Sequence, residues 1–372
     1  MSPLIESVIY YLRDDASFGI PSNKHTHKFN HMRKTFLVLA AFAILTSCKK
    51  NDNENIEEPK KLSPDIEVLV KGATQETQPL YERPKDFNFL GFGYDVTDQY
   101  NDEASVRRNV VDVQAYAASG NYRVVTIRGT QGSWTTIQAK DAVGLSEKFS
   151  NSTETTKGLR LFGNTIQKAF PGTVTSDKKY IYGHYSSYMI WKSYAFGYDD
   201  YLNDYLTLRF KNDIATLSPK DLVKEYGTHV LTGIEMGSRF NVVYQAEAPA
   251  DDRDQVILEG LRYALKRTFG LPTGYLDNVN LKNLNANSSA QIYYSSIGGD
   301  INTLKTEIIA NRVMLNITNW WSTNTEENAR FIGVYDDGLI PLDSFINDPI
   351  KKAAVKAYLE QLFATKAVKL TN

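Results

Sequence analysis

The chain is poor in cysteine: of its 372 residues, only Cys48 carries a thiol. A single thiol excludes an intramolecular disulfide and a thiolate-bound metal cluster. Stability must then come from buried apolar surface, which a chain of this length can supply. Charge of one sign is lacking too. The formal net charge is −1, so no global basic field points to nucleic acid. Histidine is scarce: after residue 48 only His184 and His229 occur, with no HExxH, no paired-histidine spacing and no GxSxG. No nucleophile, base, metal site or cofactor motif emerges, and an enzyme is the least supported class. The apolar run from Phe36 to Leu45 is about half the ~20 residues a membrane-spanning helix needs.

Aromatics, in contrast, are plentiful, with 23 Tyr, 17 Phe and 4 Trp. Tyrosine favours strands, and it also suits surfaces that meet lipid headgroups or glycans. Near the N-terminus, Arg33-Lys34, the Phe36–Leu45 run and Leu45-Thr46-Ser47-Cys48 follow one another. That order reads as a lipoprotein signal peptide over 32–48, with Cys48 as the lipidated residue. Residues 1–31 carry no export logic and read as a spurious extension upstream of Met32. The polar, charged stretch after Cys48 makes 49–87 an expected disordered tether. Its Lys, Asp and Glu resemble the surface-export signals of Bacteroidetes lipoproteins. A lipid anchor on the outer face of the cell outer membrane is the expected location, with release to the extracellular space as its variant.

The folded part is expected from residue 88 to 372. Leu90-Gly91-Phe92-Gly93 has no Lys-Ser/Thr after it and fails as a phosphate loop. Residues 121–128 and 180–196 read as strands, and 140–179 as a mixed segment with short helical patterns. Helices are expected over 202–216, 219–226, 254–269, 302–314 and 348–363, the second opening on Ser218-Pro219. From Val230 the alternation is sustained. Val230, Ile234, Met236, Phe240, Val242 and Tyr244 share one face, while the other is mostly polar, which predicts a long half-buried strand. Another strand is expected over 287–297, ahead of Gly298-Gly299.

These landmarks together resemble the membrane-attack-complex/perforin (MACPF) family. The resemblance rests on Tyr226-Gly227-Thr228-His229 running into the strand through Met236-Gly237, and on Ile297-Gly298-Gly299-Asp300. It rests also on Trp320-Trp321, Leu339-Ile340-Pro341-Leu342 and the helix from Asp348-Pro349. Where family members usually carry Gly-Gly, this chain has Gly237-Ser238. The resemblance implies an α+β fold: a bent four-stranded antiparallel sheet flanked by two helical clusters. It also implies that the clusters unfold into amphipathic hairpins, which a homo-oligomeric ring pairs into a barrel. Only a closed barrel leaves no backbone group unpaired in lipid.

The second cluster falls near 250–285. Read with period two, Ile257, Leu261, Tyr263, Leu265 and Phe269 form one face and are the membrane-inserting candidates. Glu259 and Arg267 fall on that face and are expected near the interfaces. The first cluster, near 140–179, alternates poorly. Gly233, Gly237, Gly298 and Gly299 are candidate hinges, and His229 reads as a packed structural residue. Valine at Gly298 or Gly299 is expected to block assembly and spare the monomer. The expected function is pore formation in membranes of competing bacteria, as in the antimicrobial MACPF lipoproteins of Bacteroidetes. The rival is a non-lytic adhesin or a glycan- or lipopolysaccharide-binding surface protein. Expected partners are a target membrane or surface receptor (glycan, lipopolysaccharide or outer-membrane protein) and further copies of the chain.

Overall fold

Strand β1 (Leu69–Gly72) lies within the expected tether, and Ile66 just before it is buried. The computed structural model describes residues 66–72, 79–151, 164–271, 273, 279–309, 312–335 and 337–371. All of them belong to the second of two units, residues 59–372. The signal peptide and Cys48 lie outside the described residues.

After β1 come β2 (Phe92–Tyr94), β3 (Val106–Asn109) and helix α1 (Val113–Ala118), whose first turn is capped by Asp112. Strand β4 (Val124–Ala139) is 16 residues long, well beyond the strand expected over 121–128. Helices α2 (Ala142–Asn151) and α3 (Asn164–Ala169) occupy the mixed segment, and β5 (Tyr180–Phe196) matches its expected span. Next are α4 (Leu208–Thr216), capped by Thr207, and α5 (Pro219–Tyr226), capped by Ser218 with Pro219 in its first turn. Then follow β6 (His229–Leu231), β7 (Gly233–Glu247), α6 (Arg253–Phe269), α7 (Leu281–Asn285) and β8 (Ser288–Ile297).

A helix was expected over 302–314, and the structure corrects this. Strands β9 (Lys305–Ile309) and β10 (Arg312–Asn316) form an antiparallel hairpin there. The segment holds Thr306, Ile308, Ile309 and Val313, β-branched residues that lose rotamer freedom in a helix and pack well on a pleated surface. The chain ends with α8 (Thr318–Ser322), β11 (Arg330–Val334), β12 (Leu339–Pro341) and α9 (Pro349–Lys366), capped by Asp348.

The main sheet runs β1-β8-β7-β5-β4. Its four long strands, β4, β5, β7 and β8, are antiparallel, as expected. Two short strands widen it. β1 lies parallel to β8, and β11 pairs with β7 beyond the end of β8. A smaller sheet, β12-β6-β2-β3, closes the upper end over a core that includes Phe89, Tyr94, Phe210, Tyr226 and Phe331. The half-buried reading of β7 fails on its polar face. Arg239 is 8% exposed and Gln245 is fully buried, because helices cover that side of the sheet as well.

Candidate functional site

The motif Tyr226-Gly227-Thr228-His229 is a junction of backbone and side-chain bonds. Gly227 ends α5 at φ 76°, where a Cβ would lie 2.6 Å from the Tyr94 carbonyl oxygen. Thr228 N–H and its hydroxyl both donate to the Tyr94 carbonyl, at 2.9 and 3.1 Å, and Leu342 N–H donates to the Thr228 carbonyl at 3.0 Å. The Tyr226 hydroxyl donates to Asp213 at 2.6 Å. His229 Nδ1 is 2.9 Å from the Thr228 hydroxyl, and its ring stacks on Phe363 of α9. Burial lowers its pKa to about 4, so the imidazole is neutral at pH 7. The motif thus ties α5 to β2, β12 and α9. Among the described residues, no group of three or more His, Cys, Asp or Glu could hold a metal ion.

A second feature is the bend. The β4–β5 register shifts between Arg128 and Gln131, opposite Lys192 and Ile190. The β5–β7 register shifts between Ile190 and Lys192, opposite Gly237 and Met236. The extra residues lie in β4 and β5, so two neighbouring strands are bulged at one level against β7, and bulges increase local twist and bend a strand. At the same level β8 ends and Gly298-Gly299 turn away, with φ 68° and 65°. A Cβ on Gly298 would sit 2.5 Å from the Gly237 carbonyl oxygen, and one on Gly299 would sit 2.8 Å from Trp320 Nε1. A Cβ on Gly237 would meet the Met189 carbonyl oxygen at 1.9 Å, and one on Gly233 the Tyr335 carbonyl oxygen at 2.7 Å. All four glycines occupy crowded backbone at or above the bend. Valine at Gly298 or Gly299 would strain the monomer itself, so the expectation that such a variant spares the monomer is corrected.

Below the bend two covers pack on opposite faces. On one face, α6 and α7 lie over Phe240, Val242, Tyr244 and Ala246 of β7. All five inserting candidates on α6 are buried: Ile257, Leu261, Tyr263, Leu265 and Phe269. Phe269 meets Phe240 edge-on at 5.2 Å, and Leu261 lies beneath Gly183, whose missing Cβ would be 3.0 Å from it. Asn287 joins helix to sheet. It accepts from the Tyr244 hydroxyl at 2.6 Å and donates to the carbonyls of Val256, Asn283 and Leu284. Glu259 is 4% exposed, with Arg262 at 3.7 Å.

On the other face, α2 and α3 bring Leu145, Phe149, Ile166 and Phe170 against Tyr180, Tyr182 and Val243. This side is more polar. Gln245 donates to the Tyr182 hydroxyl at 3.0 Å and accepts from Gln291 at 2.6 Å. His184 packs edge-on against Phe149 at 4.7 Å, and its Nδ1 has no hydrogen-bond partner. Burial first, then the Arg239 charge, lowers its pKa to about 3. Beside it lies a cavity of about 60 Å³ bordered by Phe149, Ala169, Asn241 and Ser295.

Both covers attach at the same end of the sheet. Ala139 pairs with Tyr182, Tyr180 with Glu247, and Glu247 with Ser288. A family model of the MAC/Perforin domain matches residues 83–368, across this whole architecture. The chain belongs to the MAC/Perforin family.

Among solved structures, a MAC/Perforin-domain protein of Bacteroides thetaiotaomicron superposes with TM-score 0.59 at 18% identity, covering 75% of this chain and 62% of that one. GNIP1Aa from Chromobacterium piscinae superposes with TM-score 0.55 at 13% identity, covering 76% of this chain and 57% of that one. Identities this low show a common fold. The chain spans less than two thirds of either structure's length. No curated protein sequence matches it. Within this perforin-like frame, the sequence located α6, expected over 254–269. It missed β1, which the apolar triplet Val68-Leu69-Val70 signals, and the far half of β4, where Trp134, Thr136 and Gln138 alternate.

Proposed function

We propose that this protein assembles side by side on membranes of competing bacteria and inserts 140–179 and 248–287 as paired β-hairpins. The observation that carries this reading is the common end of the sheet from which both segments leave and to which both return. Each is about 40 residues, so each hairpin arm has up to ~20, beyond the ~9–11 that a tilted barrel strand needs to cross. Each arm would simply extend a strand that already exists. The five apolar α6 residues would face lipid, with Glu259 and Arg267 near the interfaces, and the glycines at the bend would absorb the opening. Among the described residues no helix is long and apolar enough to cross a membrane. In this reading Cys48 anchors the protein at the outer membrane.

Side-by-side assembly needs two free edges. Among the described residues no strand pairs with the outer edge of β4, whereas β1 covers β8 from Gln291 to Tyr294. Exposed edges recruit strands, so β4 of one copy is positioned to pair with β8 of the next once β1 leaves. Residues 49–372, which contain the whole 59–372 unit, test this on dye-loaded liposomes of outer-membrane lipids imaged for rings. Dye release with rings is the expected result. Leu69→Cys with Gln291→Cys, oxidised to hold β1 on β8, should abolish both, and reduction should restore them. Intact liposomes without rings would sink the pore reading. A recognition role is the second reading, favoured by one surface feature. Tyr122, Tyr198 and Tyr201 are at least half exposed, and Arg123 lies over the Tyr198 and Tyr201 rings at 5.8 and 4.9 Å.

A further inference from the structure

We propose that Tyr122, Arg123, Tyr198 and Tyr201 bind neutral pyranose units of a cell-surface polysaccharide. The proposal deepens the recognition reading and rests on it. The site lies where β4 begins and β5 ends, at the opposite end of both strands from Ala139 and Tyr180, where the covers attach. Tyr122, Tyr198 and Tyr201 are 80%, 54% and 50% exposed. The Arg123 guanidinium lies 5.5, 5.8 and 4.9 Å from the ring centroids of Tyr116, Tyr198 and Tyr201. Among the described residues it has no hydrogen bond and no ion pair, so its N–H groups are free to donate. The frame beneath is fixed. Gly197 N–H donates to the Arg123 carbonyl at 2.8 Å, one step beyond the Val124–Phe196 pair. The Tyr116 hydroxyl donates to the Tyr198 carbonyl at 2.6 Å. Tyr122 stands at φ 60°, a left-handed backbone that is costly for a bulky side chain. Asparagine would fit this turn at lower cost, and such strain clusters at ligand clamps.

The chemistry of the patch selects a sugar. Aromatic faces carry negative partial charge and meet the C–H groups of a pyranose ring. The rigid fork of an unpaired guanidinium suits neighbouring hydroxyl oxygens of the same ring. Other occupants fit less well. Three exposed rings and one cation are few beside the ~20–30 residues per side of a stable protein interface. A nucleic-acid strand needs a basic groove along its backbone, and one guanidinium does not make one. With both covers pointed at a bilayer, the 17 residues of β5 set the patch roughly 55 Å away along the strand, beyond the headgroups. A polysaccharide reaches that far. The sequence from Tyr198 to Tyr205 also carries Asp199, Asp200 and Asp204, which favours a neutral sugar over an acidic one.

Residues 49–372 mixed with neutral oligosaccharides of glucose, mannose, galactose and rhamnose test this by saturation-transfer NMR. At least one series should bind, with the strongest transfer to the ring C–H protons of one pyranose face. Tyr122→Asn removes the ring and suits the left-handed backbone, so it should weaken binding at least fivefold without lowering the melting temperature. A merely structural Tyr122 would leave affinity unchanged. Arg123→Gln should also weaken binding at least fivefold. Oligomers of galacturonate should bind at least fivefold more weakly than those of galactose, and equal affinity would overturn the preference for neutral sugars. Adhesion to cells of related strains separates the site from the wider reading. The double variant should lose adhesion. Cells held equally by the unaltered and the double-variant protein would overturn the site and leave a recognition role standing. No adhesion by either, with no oligosaccharide bound, would remove both. Binding unchanged in the folded single variants would overturn the site on its own.

Discussion

The two covers of the lower sheet bury similar side chains in unlike ways. Under α6 the strand face is Phe240, Val242, Tyr244 and Ala246, and the buried Asn287 at its edge has its carbonyl and amide groups bonded. Under α2 and α3 the same strand presents Arg239, Asn241, Val243 and Gln245, with an unpartnered His184 nitrogen and a cavity of about 60 Å³. Interiors are close-packed, so a void forfeits contacts that its lining would otherwise make. An unsatisfied buried polar atom costs a further ~1–3 kcal/mol. Glu259 Oε2 under α6 also lacks a partner, so the difference lies in the strand faces: α2 and α3 cover a mostly polar face and α6 an apolar one, and in an opening molecule the α2–α3 cover should leave first.

The largest test of that difference uses one chemistry on both sides. Leu261 on α6 and Leu145 on α2 are each 1% exposed. Truncating a buried leucine costs about 2–5 kcal/mol, more where the surroundings cannot relax. Leu261→Ala should fall near the top of that range, about 4 kcal/mol, in urea unfolding. Leu145→Ala, in the cover over the polar strand face, should cost about 2 kcal/mol. Equal costs would break the comparison.

This asymmetry was only partly legible in the sequence. The even-numbered face of β7 announced itself through period-two apolar residues, and α6 through its 3.6-residue spacing. The odd-numbered face read as solvent-facing because Glu235, Arg239 and Gln245 are polar. Burial of that face depends on α2 and α3, whose segment alternates poorly and is rich in Ser, Thr and Lys. No local pattern says that a polar strand face will be roofed over. The hairpin at 305–316 was misread for a related reason. Leu304 and Ile308 satisfy a helical spacing, and only partner strands decide the issue in favour of extended backbone. The bend lies further from view. Gly237 and Gly298 are visible as letters, but the alignment of bulges in β4 and β5 against β7 is a property of three strands together.

Acid sharpens the comparison at a smaller scale. His184 and His229 stay neutral in the fold down to about pH 3 and 4, whereas an exposed histidine in the unfolded chain takes a proton near 6.5. Between those values the unfolded state binds more protons, so stability falls as pH falls. The loss is about 1.4 kcal/mol per pH unit for each histidine, roughly 2 kcal/mol apiece between pH 6.5 and 5. His184 lies under α2–α3 and His229 beside α9; neither touches α6. Hydrogen exchange at pH 5 and 7, corrected for intrinsic rates, should show α2 and α3 losing protection while α6 keeps most of its own. Loss of protection in α6 first would reverse the order of release.

The smallest effect is the most selective. His184→Phe keeps a ring of similar size against Phe149 and removes the nitrogen that has no partner. It also removes the group that Arg239 and burial both hold neutral. The variant should gain about 1 kcal/mol at pH 7, since replacing a buried unsatisfied polar atom with apolar surface recovers its desolvation cost. Its stability should also fall less steeply in acid, by the share that belonged to His184. A variant that strengthens only the weaker cover separates the order of release from overall stability. If α2–α3 leaves first, His184→Phe should slow dye release from liposomes, although α6 and the bend are untouched. Faster or unchanged release in the stabilised protein would mean that the polar cover is not the one that sets the rate.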